Sequence, residues 1–269
     1  MGETWVLMNT SLKRDVWEKD EYYELAEKGS LDIKHPGMQL LLKIAQNKYN
    51  ILDLGCGEGT RLGLIKGKNK KLTGIDISAN AIKKAKSAHA KINFLSGNVE
   101  KLPFDNGSFD LVYSAFVFEH LDEPEKVIRE AVRVLESSGS LIIIAPNYGA
   151  PNRASPPYKG SRIKKLINGY INDLRRVFIG QEKLYWGKVR PIANLKQYEM
   201  DWDTTIEPYL GSLILFIKSL GLNIKTILSC WGQEDKSANA MQKLFRFLGE
   251  RNIYPFKYWG PHLVLFAEK

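Results

Sequence analysis

Between residues 51 and 146 five short apolar runs, ILDL (51–54), KLTGIDI (71–77), INFLSG (92–97), FDLVYSA (109–115) and SLIIIAP (140–146), alternate with stretches of helical spacing at 60–67, 79–90 and 124–135. Strands separated by helices cannot pair as hairpins; they are joined by right-handed crossovers, which lays them parallel in one sheet with helices on both faces. Pro124 falls at a first helical turn, where its missing N–H leaves no bond unmade. The regularity stops at Pro146, and Asn147–Pro157 is dense in Pro, Gly, Asn and Ser, a loop signal. Regular structure resumes in a helical run, Tyr209–Leu220, followed by Gly221, a strand-like LNIKTIL, an irregular excursion from Trp231 to Gly260, and a closing strand-like HLVLFAEK. The fold class expected is α/β: a Rossmann-like doubly wound sheet, mostly parallel with an antiparallel last strand, carrying a helical N-terminal extension and a substrate-side insertion.

Composition narrows the function classes. With 44% hydrophobic and 26% charged residues among 269, the chain is in the ordinary globular range. The longest apolar stretch, Leu213–Ile217, falls far short of the ~20 residues of a membrane helix, and the start MGETWVLMNT lacks the basic and apolar regions of a signal peptide, so a cytoplasmic protein is expected. Cys56 and Cys230 form no CxxC or Cys/His cluster, which supports neither a disulfide framework nor a structural metal site. The net charge of +9 is concentrated: Lys159, Arg162, Lys164, Lys165, Arg175, Arg176, Lys183, Lys188 and Arg190 face only Asp173 and Glu182 over the same stretch. Such a segment suits a phosphate-bearing partner or is the solvated face of a helix.

The sharpest local pattern is ILDLGCGEGT, residues 51–60, in which a strand ends at Asp53 and runs through Gly55, Gly57 and Gly59 into a helix. A strand-to-helix turn at the carboxyl edge of a parallel sheet is where open α/β folds bind ligands, and the helix start offers unpaired N–H groups. A dinucleotide fingerprint needs glycine at position 60, where this chain has Thr60, and Arg61-Leu62 does not supply the Lys-Ser/Thr pair of a phosphate loop.

Asp53-Leu-Gly55-Cys56-Gly57-Glu58-Gly59 resembles the first motif of the class I S-adenosylmethionine-dependent methyltransferases, of the type 11 kind. Later segments agree in order: Asp76 in GIDIS, GNVEKLPF (97–104), FDLVYSAFVFEHL (109–121) and RVLESSGSLIII (133–144). The resemblance spans residues 50–146. It implies S-adenosyl-L-methionine as cofactor, S-adenosyl-L-homocysteine as product and no metal. It places Asp53, Gly55, Cys56, Gly57 and Gly59 around the cofactor, Asp76 on the ribose hydroxyls with Ile77 beside it, Asn98 and Val99 by the adenine, and Ser114 as a wall beside the methionine portion. Asn98 stands where relatives commonly carry aspartate, though its carbonyl can still accept. Ser137-Ser138-Gly139 replaces a more usual Lys-Pro-Gly-Gly turn. Taken singly, each residue has a plainer use: a glycine closing a turn, Asp53 capping a helix, Cys56 as a small buried hydrophobe.

His120, in the loop after the fourth strand, is the candidate general base for a hydroxyl acceptor, with packing in the loop as its alternative. Glu119 beside it could orient His120, though it reads more readily as plain surface charge, and His35 is a group within reach of the cofactor's carboxylate. The expected organisation is a helical extension over 1–48, a cofactor-binding core over 49–146, a substrate-binding insertion over 147–208, and residues 209–269 completing the sheet with a second excursion at 231–260. The insertion resembles, more loosely, those of methyltransferases of surface-polysaccharide and glycan pathways. Tyr185, Trp186, Tyr198, Trp202 and Tyr209 could stack on sugar rings or form the insertion's own core; Asp201, Asp203 and Glu207 could accept from sugar hydroxyls. The acceptor expected is a small molecule, a saccharide or nucleotide-linked sugar oxygen. An RNA substrate tracked by the basic segment and a non-catalytic methyltransferase-like subunit stay open as alternatives.

Overall fold

Along the central strands successive side chains are buried on opposite faces of one sheet. In the computed structural model, which describes residues 17–19, 22, 32–65, 67–176, 183–192, 199–234 and 237–269, the five runs form β1 (Asn50–Leu54), β2 (Lys71–Asp76), β3 (Asn93–Ser96), β4 (Phe109–Ala115) and β5 (Leu135–Pro146). Two short strands follow, β6 (Gly187–Lys188) and β7 (Ile206–Glu207), which pair as a separate ribbon, and then β8 (Asn223–Leu228) and β9 (His262–Glu268). The main sheet has seven strands in the order β3-β2-β1-β4-β5-β9-β8. Its first five strands are parallel, and β9 runs antiparallel to both its neighbours. The last strand is therefore antiparallel, as expected.

Both faces are covered. Ile51, Leu111, Tyr113, Ile142 and Ile144 point to a cluster with Met38, Leu41 and Ala45 of α1 (Pro36–Ala45) and Ile82 and Ala85 of α3 (Ala79–Ala88); α2 (Thr60–Leu64) joins it through Leu62. The alternating residues Leu52, Leu54, Val112, Leu141 and Ile143 pack on the other face against Val127, Ile128 and Ala131 of α4 (Pro124–Val134) and Leu213, Phe216 and Ile217 of α6 (Leu210–Ser219). Period-two burial on two faces is the physical content of a doubly wound sheet, and each wholly buried Leu or Ile side chain contributes about 1.5–3 kcal/mol of transfer free energy.

Two boundaries differ from the sequence reading. α2 stops at Leu64, because Ile65 is already extended, instead of running to residue 67. The turn expected at Ser137-Ser138-Gly139 lies inside β5: Phe109 pairs with Leu135 and Leu111 with Ser140, and the extra residues are absorbed as an irregularity with Ser138 at positive φ. The insertion contributes α5 (Arg162–Arg176), the β6/β7 ribbon and a set of buried polar anchors. The Asn147 side chain donates to the carbonyls of Tyr258 and Gly260 and accepts from Leu210 N–H, tying the end of β5 to the second excursion. That excursion holds α7 (Ala240–Glu250) and a turn of 3-10 helix at Phe256–Tyr258. Among the described residues no helix is long and apolar enough to cross a membrane.

Candidate functional site

The glycine turn sits at the carboxyl ends of β1 and β2. Gly55, Gly57 and Gly59 all have positive φ, and a Cβ built on Gly55 would lie 2.5 Å from Val117, so a side chain there is excluded twice over. Gly57 N–H donates to Asp76 Oδ2 at 2.9 Å and Ser78 N–H to Oδ1 at 2.9 Å, which aims the Asp76 carboxylate at the turn. Burial raises the Asp76 pKa, and the two backbone donors pull against that shift. Alongside lies a cleft of ≈ 270 Å³ lined by Trp17, Glu18, Ile77, Ser78, Ser96, Gly97 and Asn98.

Asn98 faces that cleft, but its side-chain oxygen accepts from Glu100 N–H at 2.9 Å and so holds its own turn. Val99 is buried in the core. Cys56 is buried under the turn, burial pushes its thiol pKa up, and it fills space as a small hydrophobe. Ser114 donates to the Leu54 carbonyl at 2.9 Å and joins β4 to β1 from beneath. Asp53 caps no helix. Its Oδ2 accepts from Tyr113 Oη at 2.8 Å, while Oδ1 is buried without a partner, and burial raises its pKa to about 7. Arg61, whose charge opposes that rise, has its own buried Nε unpartnered and stacks over Phe116.

His35 is occupied elsewhere. Its Nδ1 accepts from Gly37 N–H as the cap of α1, and its Nε2 lies 3.0 Å from His262 Nδ1. Burial lowers both pKa values, that of His262 to about 4, so the pair is neutral at pH 7. A role on a carboxylate is not what this geometry favours.

The second half of the site is built across the insertion. His120 lies in a 3-10 turn after β4, with Nδ1 3.2 Å from Asp203 Oδ2 and Nε2 3.7 Å from Glu119 Oε1. Glu119 is not surface charge: it is 1% exposed, burial raises its pKa to about 8, and its backbone carbonyl accepts from Thr205 N–H. Asp201 accepts from Tyr148 Oη, and Asp203 accepts from Trp17 Nε1 at 2.8 Å. Trp17 also packs edge-on to His120, so one side chain of the N-terminal extension touches both halves of the site. Glu119, His120 and Asp201 each bring one ligand-type atom within 4.8 Å of the others, a spacing a divalent cation can bridge.

Other residues expected at an acceptor are committed to structure. Glu207 is buried, accepts from Ser155 N–H and Oγ, and pairs with Lys165 at 2.5 Å. Trp186 and Tyr209 belong to the core, Tyr185 is exposed, Trp202 is half-buried, and Tyr198 lies outside the described residues. Trp17, Arg61 and Tyr148 were not picked out by sequence reasoning. Only Arg61 carried a signal, as the one cation in the first turn after the glycines.

A seven-stranded sheet of this order, with a glycine turn and an acidic residue at the ends of adjacent strands, defines the Rossmann-like methyltransferase fold. Residues 52–143 match the model of a methyltransferase domain. The chain is 28% identical over 217 residues, 77% of its length and 69% of the relative's, to ajmaline N-methyltransferase of Rauvolfia serpentina. It is 33% identical over 109 residues to demethylmenaquinone methyltransferase of Thermotoga maritima, spanning 40% of this chain and 47% of that one. A crystal structure from Listeria monocytogenes, assigned to the S-adenosylmethionine-dependent methyltransferases, superposes with a TM-score of 0.57 at 16% identity, covering 88% of this chain and 98% of the other. Residues 52–143 are thus a methyltransferase domain, and the chain is a methyltransferase that uses S-adenosylmethionine.

Proposed function

We propose that the enzyme methylates a hydroxyl of a small polar molecule, a saccharide or nucleotide-linked sugar oxygen, with His120 as general base. The pair of partly exposed His120 and buried Asp203, 3.2 Å apart, carries this reading. The residues present fit the cofactor. The unpartnered buried Oδ1 of Asp53 and Nε of Arg61 are complementary to the ammonium and carboxylate of its amino-acid end. Asp76 retains lone pairs for ribose hydroxyls, Ile77 and Asn98 line the cleft on the adenine side with Val99 buried in the core behind them, and Gly55, Gly57 and Gly59 keep the turn open. Cys56 and Ser114 support that turn from below. When bound, S-adenosylmethionine supplies an electrophilic methyl group on a sulfonium sulfur.

The Asp203 carboxylate, 3.2 Å from His120 Nδ1, favours the tautomer that keeps a proton on Nδ1 and leaves the lone pair on Nε2. Nε2 takes the acceptor's hydroxyl proton, and Asp203 stabilises the resulting imidazolium. Tyr148 and Asp201 offer a donor and an acceptor to neighbouring hydroxyls, and Trp17 shuts water from the junction of the two halves. A second reading rests on the close approach of Glu119, His120 and Asp201: a divalent cation held there would activate the hydroxyl in place of a base.

Transfer from radiolabelled cofactor to a panel of nucleotide-sugars tests both. His120→Asn is expected to lower kcat by about 10²–10⁴-fold with unchanged cofactor affinity, and a chelator to leave the wild-type rate intact. A wild-type rate in His120→Asn sinks the base, loss of activity on chelation supports the cation, and turnover confined to an amine panel overturns the oxygen assignment.

A further inference from the structure

Apart from Leu166, which packs on the core, the large apolar residues of α5 are on its outside. Ile163, Ile167, Tyr170, Ile171 and Leu174, spaced three and four apart on one face, are 70, 54, 38, 40 and 42% exposed. α7 does the same with Met241, Leu244 and Phe247, 53, 53 and 49% exposed, and Ile253 just beyond it is 41% exposed. The helices share one platform. Tyr170 packs edge-on to Trp259 and 6.2 Å from Phe256, while Phe245 stacks on Phe256 at 5.5 Å and meets Trp259 at 5.3 Å. Neighbouring apolar stripes on two helices make a patch that water alone is a poor partner for.

The exposed charged residues around the patch are almost all of one sign. Arg162, Lys164 and Arg175 on α5 and Lys243 and Arg251 at α7 are exposed. The one acid on α5, Asp173, is buried and bound to Tyr209, Trp259 and Arg176, and the one acid on α7, Glu250, is paired with Arg246. An apolar helix face bordered by lysine and arginine, with the acids neutralised, is complementary to a layer whose interior is hydrocarbon and whose surface is anionic.

We propose that α5 and α7 dock the enzyme on the surface of an anionic lipid bilayer, the apolar stripes entering the headgroup region and the basic residues meeting lipid phosphates. The inner side of α5 is wired to the acceptor half of the site. Lys165 Nζ donates to the Tyr148 carbonyl at 2.8 Å and pairs with Glu207, and Gly169 abuts Pro151. Docking therefore brings the loop 146–156 to the membrane surface, where a lipid-borne acceptor would be presented. The surface itself is independent of what the acceptor is.

Flotation of the purified full chain with phosphatidylcholine vesicles, and with vesicles containing phosphatidylglycerol as well, tests this. Binding to the anionic vesicles is expected to exceed binding to the neutral ones by at least about tenfold and to weaken with salt. The double variant Ile167→Asp/Ile171→Asp should lose binding to both, and Lys164→Glu/Arg175→Glu should lose the preference for phosphatidylglycerol. These positions are already in water, so both variants should keep wild-type affinity for S-adenosylmethionine by calorimetry, which separates loss of docking from loss of fold. Failure of the wild type to float with anionic vesicles overturns the proposal, as does flotation that the isoleucine substitutions leave unchanged. A dimer that those substitutions dissociate, in a protein that does not float, would assign the face to a second copy of this chain instead.

Discussion

A carboxylate without a partner is the most informative side chain in this molecule. Asp53 lies in the buried end of β1, accepts from Tyr113 with one oxygen and leaves the other unbonded, and burial raises its pKa to about 7 from an ordinary value of 3.8. The sign of the consequence is fixed by that direction. Folding favours the protonated acid, so the stability associated with Asp53 is present below pH 4 and is lost as pH rises through about 7. A cationic ligand end reverses the preference by pairing with the ionised form. S-adenosylmethionine affinity is therefore expected to rise by about tenfold from pH 6 to pH 8, following the ionised fraction of a group that titrates near 7. Asp53→Asn should flatten that dependence; calorimetry at the two pH values checks it, and an equally steep profile in the variant removes Asp53 from the cofactor. The glycines and Asp76 were legible from spacing, because a strand-to-helix turn is local. The burial of Glu119 was not, since it is imposed by Thr205, 86 residues away in sequence.

At the scale of elements, the parallel strands and the helices between them were legible to within a few residues, because period-two and three-to-four-residue spacings respond to the nearest sheet face. α5 was hidden within a segment that sequence reasoning treated as one basic insertion, since its outward apolar face has the same spacing as an inward one. What sets its orientation is Asp173, which accepts from Tyr209 Oη at 2.6 Å and Trp259 Nε1 at 2.8 Å and pairs with Arg176 at 2.5 Å. Asp173→Ala strands all three donors and is expected to cost about 2–4 kcal/mol, read as a lower urea midpoint, while cofactor affinity holds because the glycine turn is on another part of the sheet. A midpoint unchanged from wild type would mean that α5 is oriented by packing alone.

At the scale of the whole molecule, the candidate site is a meeting of distant segments: Trp17 near the N-terminus, Asp53 and Asp76 at strand ends, His120 in the turn after β4, and Tyr148, Asp201 and Asp203 from the segment after β5. A ligand that touches the folded chain and not the unfolded one stabilises all of it. S-adenosylmethionine at about 100 times its Kd should contribute about 2.7 kcal/mol, or a rise in Tm of about 5–10 °C for a chain of this size. NAD should give no shift, because position 60 is Thr60 and not the third glycine of a dinucleotide turn. Equal shifts with the two ligands would remove that discrimination.

By itself the sequence determined which segments form the parallel strands, because that depends on residue spacing within single crossovers, and its resemblance to the class I methyltransferases gave the cofactor class; the strand order was decided by the structure. Tertiary structure alone decided that Asp203 lies 3.2 Å from His120, that Glu207 is an internal anchor, that Glu119 is buried, and that α5 turns its isoleucines outward. Each of these depends on which far segment fills the space beside a side chain, and burial, hydrogen bonding and charge are properties of that space.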